Sequence, residues 1–291
     1  MKRRRFLQLA AGTAGAAAVR ATVLASVHNE QEVLLTIRDR ALDARDAIRV
    51  GAGERVRFHF VHAGFPDEVH LHLPGHLLRV VALDGNPVPT PAAVGVLSLA
   101  RGERIEALVE MNKPGNWTLG SLDDDERAGG LGVRVAYAGQ NGPAQWHSPE
   151  IIDWSYARFS AGTRLIPPAD QTIELLLEKN HWIIDGHSHA DIDHLSFKPN
   201  RRYRLRMMNA TDRTRPVRLH GYNLELTRVN QIPVSGIIKE TISLERYNVV
   251  EADVVMTYSS VPWRAIPVSD FVVELQSDCG AAPVFFGPCT L

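Results

Sequence analysis

Cysteine is scarce in this 291-residue chain: only Cys279 and Cys289 occur, both near its end. That excludes a disulfide-built scaffold and a multi-cysteine zinc site, and the spacing of the two leaves their pairing open. Charge of one sign is lacking too. Thirty-two Lys and Arg face 33 Asp and Glu, a formal net charge of -1, so nothing electrostatic points to nucleic acid. Beyond the N-terminus no apolar run is long enough for a membrane span. No long amphipathic helical pattern, Gly-rich phosphate loop or nucleophile motif stands out. Histidine also stops early, with none after His220.

What is present begins with an export leader. "MKRRRFLQLAAGTAGAAAVRA" has a basic head, an apolar stretch from Phe6 to Val19, and small residues before a cut after Ala21 or Ala25. Arg3 and Arg4, followed by Arg5, Phe6 and Leu7, resemble a twin-arginine signal. Residues 1–25 are therefore expected to be a signal peptide, and the mature protein to be periplasmic or secreted.

The rest reads as strands. "ERVRFHFVHA", "HLLRVVAL", "ERIEALVEM", "LGVRVAYAG", "QTIELLLE", "RYRLRMMNA" and "LELTRV" alternate or are wholly apolar, with Gly, Pro and Asn between them. Part of this pattern is written twice. Ile37 to Ala63 lies over Ile184 to Ala210 without a gap, and Val69-His70-Leu71-His72 lies over Val217-Arg218-Leu219-His220. The expectation is an all-β chain of two tandem β-sandwich domains, at 30–140 and 173–291. Between them, residues 141–172 form a linker whose Trp146, Trp154 and Tyr156 are expected to pack across the domain seam.

Several long phrases carry a family resemblance. "LPGHLLRVVALDGNPVPTP", "GERIEALVEMNKPGNWTLGS" and "GLGVRVAYAG" resemble the middle cupredoxin domain of bacterial multicopper oxidases. "TDRTRPVRLHGYNLELTRV" and "GIIKETISL" resemble their C-terminal domain, and the likeness fades after about Val255. The resemblance implies Greek-key sandwiches of the cupredoxin type. It also implies copper as cofactor, and oxidation of a substrate coupled to reduction of dioxygen to water.

The same resemblance shows what has changed. The family's third domain carries His-Pro-x-His-x-His, and here those histidine places hold Arg215, Arg218 and His220, with Pro216 between. Arginine keeps its proton and offers no lone pair to a metal. His220 is thus the one retained ligand position. The closing His-Cys-His strand has no counterpart, since neither "SDCGAA" nor "GPCTL" supplies it. The family's first domain is missing from the sequence as written. Copper is expected not to bind at full stoichiometry, and no catalytic residue is assigned.

Other histidines invite metal readings. His70, His72 and His76 lie on or beside one strand in "HLHLPGH", for which an outward polar face is the default reading. "DGHSHADIDH" approaches a metallo-hydrolase signature through His187, His189 and Asp191, but Ile192 stands where the next histidine belongs and His194 comes two places late. Weak copper or zinc binding by His187 and His189 is the milder reading. "LDDDERAGG" is read as a solvated hairpin turn. The functional expectation is an oxidase-family protein that is inactive or incomplete as written. The alternative is a copper-free periplasmic scaffold or binding protein with an envelope protein partner. A small-molecule or metal-ion substrate enters only if copper sites are restored.

Overall fold

Alternation decides where the strands form and which way they face. Arg55–His62 turns Val56, Phe58, Phe60 and His62 inward, and Arg202–Asn209 does the same with Tyr203, Leu205, Met207 and Asn209. The computed structural model describes residues 30–256, apart from 39, 44–45, 65, 151, 163–164, 180, 189–196 and 220–221, and four backbone strands outside that range. Most of the expected leader falls outside the described residues, as do His189, Asp191, His194, His220, Cys279 and Cys289.

The first part of the chain carries β1 (Leu24–Ala25), β2 (Glu30–Arg38), β3 (Ala41–Leu42), β4 (Ile48–Val50), β5 (Arg55–His62) and β6 (Glu68–His72). Then come β7 (Leu78–Leu83), β8 (Asn86–Val94), β9 (Leu97–Ala100), β10 (Arg104–Glu110), β11 (Asn116–Ser121), helix α1 (Asp124–Ala128) and β12 (Gly132–Tyr137). They make two sheets, ordered β1-β2-β5-β10-β7-β8 with β3 on β2, and β4-β12-β11-β6-β9. Phe58, Phe60, Leu71, Leu97, Ile105 and Tyr137 fill the space between. The acidic run is the solvated connection of the β11–β12 hairpin, as expected, and takes the form of one helical turn. Asp123 caps it by accepting from the Glu126 amide, and three acidic residues lie in the first turn, where a helix favours negative charge.

After a 3-10 turn at Tyr156–Phe159, the second part carries β13 (Gln171–Glu178), β14 (His181–Ile184), β15 (His187–Ser188), β16 (Arg202–Asn209), β17 (Arg215–Arg218) and β18 (Leu224–Val229). Next are β19 (Ile232–Lys239), β20 (Thr241–Leu244) and β21 (Val249–Val255), then backbone strands β22 (Ser260–Ala265), β23 (Val273–Ser277) and β24 (Val284–Phe286). One sheet runs β15-β14-β13-β16-β21-β18-β19; β17 pairs β20, and the last three strands pair among themselves.

The repeat is visible in the topology. The path β2-β5-β10-β7-β8 is matched by β13-β16-β21-β18-β19, each beginning with a parallel pair and continuing antiparallel. The pair β6 and β9 is matched by β17 and β20, with Val69 and Val217 both buried. One part of the sequence alignment is corrected. Ile37 pairs with His62 and Leu177 pairs with Asn209, so Ile37 corresponds to Leu177 and not to Ile184. Both copies fold back at this point, β2 on β3 and β13 on β14, but the second hairpin is longer and adds β15, which breaks an ungapped register.

The linker is packed into the seam. Tyr156 and Phe159 are buried, and Trp154 packs edge-on against Tyr156 and tilted against Phe159. Thr90 donates to the Ser160 carbonyl at 2.7 Å, while the Ser235 amide donates to Ser160 Oγ at 2.9 Å, so one turn bonds both sandwiches. Gly236 has φ +76° and a Cβ there would lie 2.8 Å from Pro89 Cγ, so the seam closes on a residue without a side chain. Trp146 departs from expectation. It packs on His72 and under the Arg127 guanidinium, both in the first sandwich.

Candidate metal centre and the adjoining seam

Strand β17 holds two of the three places at which a metal was sought. Arg215 reaches Asp67 of the first sandwich at 3.7 Å, and the neighbouring Thr214 hydroxyl donates to Glu68 at 2.7 Å. Arg218 meets Glu240 at 2.9 Å. The same carboxylate receives Arg104 of the first sandwich through a two-pronged contact of 3.0 and 3.2 Å. Guanidinium groups here bond carboxylates, which leaves them nothing to offer a cation. His220, the third place, lies outside the described residues.

Just beneath, charge is buried. Lys239 Nζ lies 2.8 Å from Glu103 and 3.1 Å from Asp84, and none of the three side chains is exposed. Asp84 also accepts from the backbone amides of Arg104, Glu240 and Thr241. Glu103 accepts from the Ala100 amide and from the Tyr156 hydroxyl, and Tyr156 in turn accepts from the Ser243 amide. Burial raises the Glu103 carboxyl pKa, though the Lys239 ammonium opposes it. For Lys239 burial works downward, but the two carboxylates outweigh it and hold the pKa above its usual value, so the ammonium stays charged. Burial, then Glu103, push the Tyr156 phenol well above its ordinary range. This group joins both sandwiches and the linker.

Sequence reasoning did not find that cluster. A signal for it existed in "GIIKETISL". Ile237 and Lys239 share one face of β19, so a lysine stands at an inward position of a buried strand.

The first-copy histidines are also differently placed from the default reading. His70 is exposed, 3.8 Å from Glu68, but His72 is buried where the linker crosses the end of β6. His72 Nδ1 bonds the Gly95 carbonyl at 2.7 Å. His76 is buried and satisfied on both sides, by the Pro74 carbonyl at 2.8 Å and the Tyr137 hydroxyl at 2.6 Å. Burial holds both imidazoles below their usual pKa. His62 goes furthest. Burial lowers it to about 4, so it is neutral inside the sandwich. His187 is exposed on β15.

A cleft of about 710 Å³ opens between β6 and the segment leading into β17. Its walls include Asp67, Glu68, His70, Trp154, Thr214 and Glu245. Burial, then the nearby Glu68, raise the Glu245 pKa. Among the described residues, no three or more His, Cys, Asp or Glu side chains are grouped so as to hold a metal ion. The donor set at β17 therefore does not suit copper, which needs imidazole or thiolate lone pairs.

Comparison with known proteins places this geometry. A family model for multicopper oxidases matches residues 9–137, the first sandwich and part of the expected leader. The multicopper oxidase MmcO of Mycobacterium tuberculosis is 24% identical over 216 residues, covering 71% of this chain and 42% of MmcO. Among solved structures, the laccase-like multicopper oxidase CueO from an Ochrobactrum species aligns over 85% of this chain and 63% of its own, with TM-score 0.56 and 18% identity. A metallo-oxidase of Campylobacter jejuni aligns over 86% and 60%, with TM-score 0.54 and 13% identity. The sandwiches are thus cupredoxin-like. The chain spans less than two thirds of the length of each of these relatives. No helix among the described residues is long and apolar enough to cross a membrane.

Proposed function

Since the chain belongs to the multicopper oxidase family, we propose that it is a redox-silent member, built on the family fold and exported, in which the oxidase copper centres do not assemble. Copper is the family's cofactor and supplies one-electron transfer when bound. The single observation carrying the proposal is the state of β17, where Arg218 shares Glu240 with Arg104 and Arg215 is directed to Asp67. These residues do chemistry of another kind. They neutralise carboxylates at the seam and fasten one sandwich to the other.

The test is turnover. After loading with cupric ion, the full chain is expected to oxidise neither a phenol nor a reduced metal ion above background. Sustained turnover of either would refute the proposal.

A second reading, a scaffold or binding protein of the cell envelope, is supported by the cleft between β6 and the approach to β17. Its lining mixes the carboxylates Asp67, Glu68, Asp212 and Glu245 with Arg213 and Arg246, which suits a partner segment that carries both charge signs with a basic excess. Crosslinking from the cleft in intact cells, compared between the native chain and Glu245→Lys, tests it. An identical crosslinking pattern in the two would count against it.

A further inference from the structure

The buried His72 has one ring nitrogen satisfied and the other left bare. Its Nδ1 donates to the Gly95 carbonyl, which leaves the lone pair on Nε2. That Nε2 is buried and has no hydrogen-bond partner among the described residues, although His72 is only 4% exposed. A buried acceptor left bare is unfavourable, because it has given up its water without a replacement. His76, close by, shows the contrast, because its Nε2 accepts from the Tyr137 hydroxyl.

The ring that faces His72 is His147, with centroids 6.3 Å apart and planes at 63°. His147 Nδ1 lies 3.4 Å from the Ser148 carbonyl, which favours the same tautomer and again leaves Nε2 free. An imidazole whose second nitrogen donates to a backbone carbonyl is the usual arrangement of a metal-ligating histidine. Two imidazoles on opposite sides of one ion, each with a metal–nitrogen length of about 2.0 Å, have centroids about 6 Å apart. The observed separation matches that spacing.

The enclosure selects the ion. Trp146 stands edge-on to His72 at 5.6 Å, and Trp117 edge-on to His147 at 5.9 Å. The Arg127 guanidinium covers Trp146 at 3.7 Å, so a cation already stands nearby. Two neutral nitrogens beside a fixed positive charge are a poor home for a divalent ion, which calls for more ligands and for anions. They suit a soft monovalent d10 ion, which accepts two nitrogens in line.

Backbone bonding preorganises the pair. The Gln145 amide donates to the Asn116 carbonyl, and Gln145 O accepts from Thr118, so the linker lies along β11 two residues before His147. We propose that His72 Nε2 and His147 Nε2 form a two-coordinate site for monovalent copper, clamped between the linker and the first sandwich. The site lies away from β17 and holds whether or not the redox-silent reading is correct.

The experiment is anaerobic titration of the full chain with cuprous ion against a chromogenic cuprous chelator, followed by X-ray absorption on the loaded protein. One cuprous ion per chain with two nitrogen neighbours is expected. His147→Ala alters an exposed residue, so folding should be preserved, and it should weaken binding by about 100-fold. His72→Phe should do the same, while His187→Ala should leave the affinity unchanged. Native affinity in His147→Ala, loss of binding in His187→Ala, or tighter zinc than cuprous binding at His147 would each overturn the assignment.

Discussion

Strands β6 and β17 hold the same place in the two sandwiches, and their sequences, Val69-His70-Leu71-His72 and Val217-Arg218-Leu219-His220, run in step. In the first copy the strand keeps imidazoles, one exposed and one covered by the linker. In the second, guanidinium groups meet carboxylates at the seam with the first sandwich. One backbone thus carries two chemistries, because the apolar residues between the polar ones fix the strand and the polar ones are free to change. What surrounds each copy decides the outcome. Strand β6 lies under a linker rich in aromatics, while β17 faces charged side chains of the other sandwich.

The largest effect is expected at the buried charges of the seam. Lys239→Met leaves the Asp84 and Glu103 carboxylates buried without their cation. Removing one partner of a buried pair costs about 3–5 kcal/mol, here limited by protonation of Glu103, whose pKa burial already raises. Denaturant unfolding should show that loss. A change under about 1 kcal/mol would mean the seam cluster does not hold the sandwiches together.

The inward ends of β5 and β16 differ in the same way. His62 and Asn209 are equivalent, but Asn209 donates to the carbonyls of Arg213, Leu244 and Glu245 and does not titrate. His62, lowered from 6.5 to about 4, binds a proton in the unfolded chain before it does so in the folded one. Its contribution is complete above pH 6.5 and is lost as pH falls towards 4, by about 3 kcal/mol. The stability of native protein minus that of His62→Leu should fall with that sign across the window, as read by urea unfolding at several pH values. A flat difference would place a protonated imidazole in the core.

Smaller effects follow at the seam's edge. Gly236→Ala meets Pro89 and an unfavourable positive φ, and should cost about 1–3 kcal/mol by thermal unfolding. Arg218→Ala removes a half-buried ion pair and should cost about 1 kcal/mol or less. A larger loss from Arg218 than from Lys239 would reverse the ranking of the two layers.

The sequence was readable where a pattern is local. Alternation located β5 and β16 with their inward residues, and the match of these two strands, continued by that of β6 and β17, revealed the repeat. It failed where the deciding partner is remote. The longer hairpin of β14 and the added β15 broke the upstream register, because pairing, not residue type, sets it. Burial of His72 depends on Trp146, far along the chain, and burial of Lys239 depends on Asp84 and Glu103 in the other sandwich. The same limit applies to the metal question. Arg215 and Arg218 announced lost ligands in the sequence, but their new carboxylate partners required the fold.

Optical spectroscopy of the full chain after cupric loading bears most directly on the central claim, because a thiolate-bound cupric ion absorbs visible light intensely. The account predicts no such band and dioxygen uptake at background. A strong blue band with steady dioxygen consumption would contradict it.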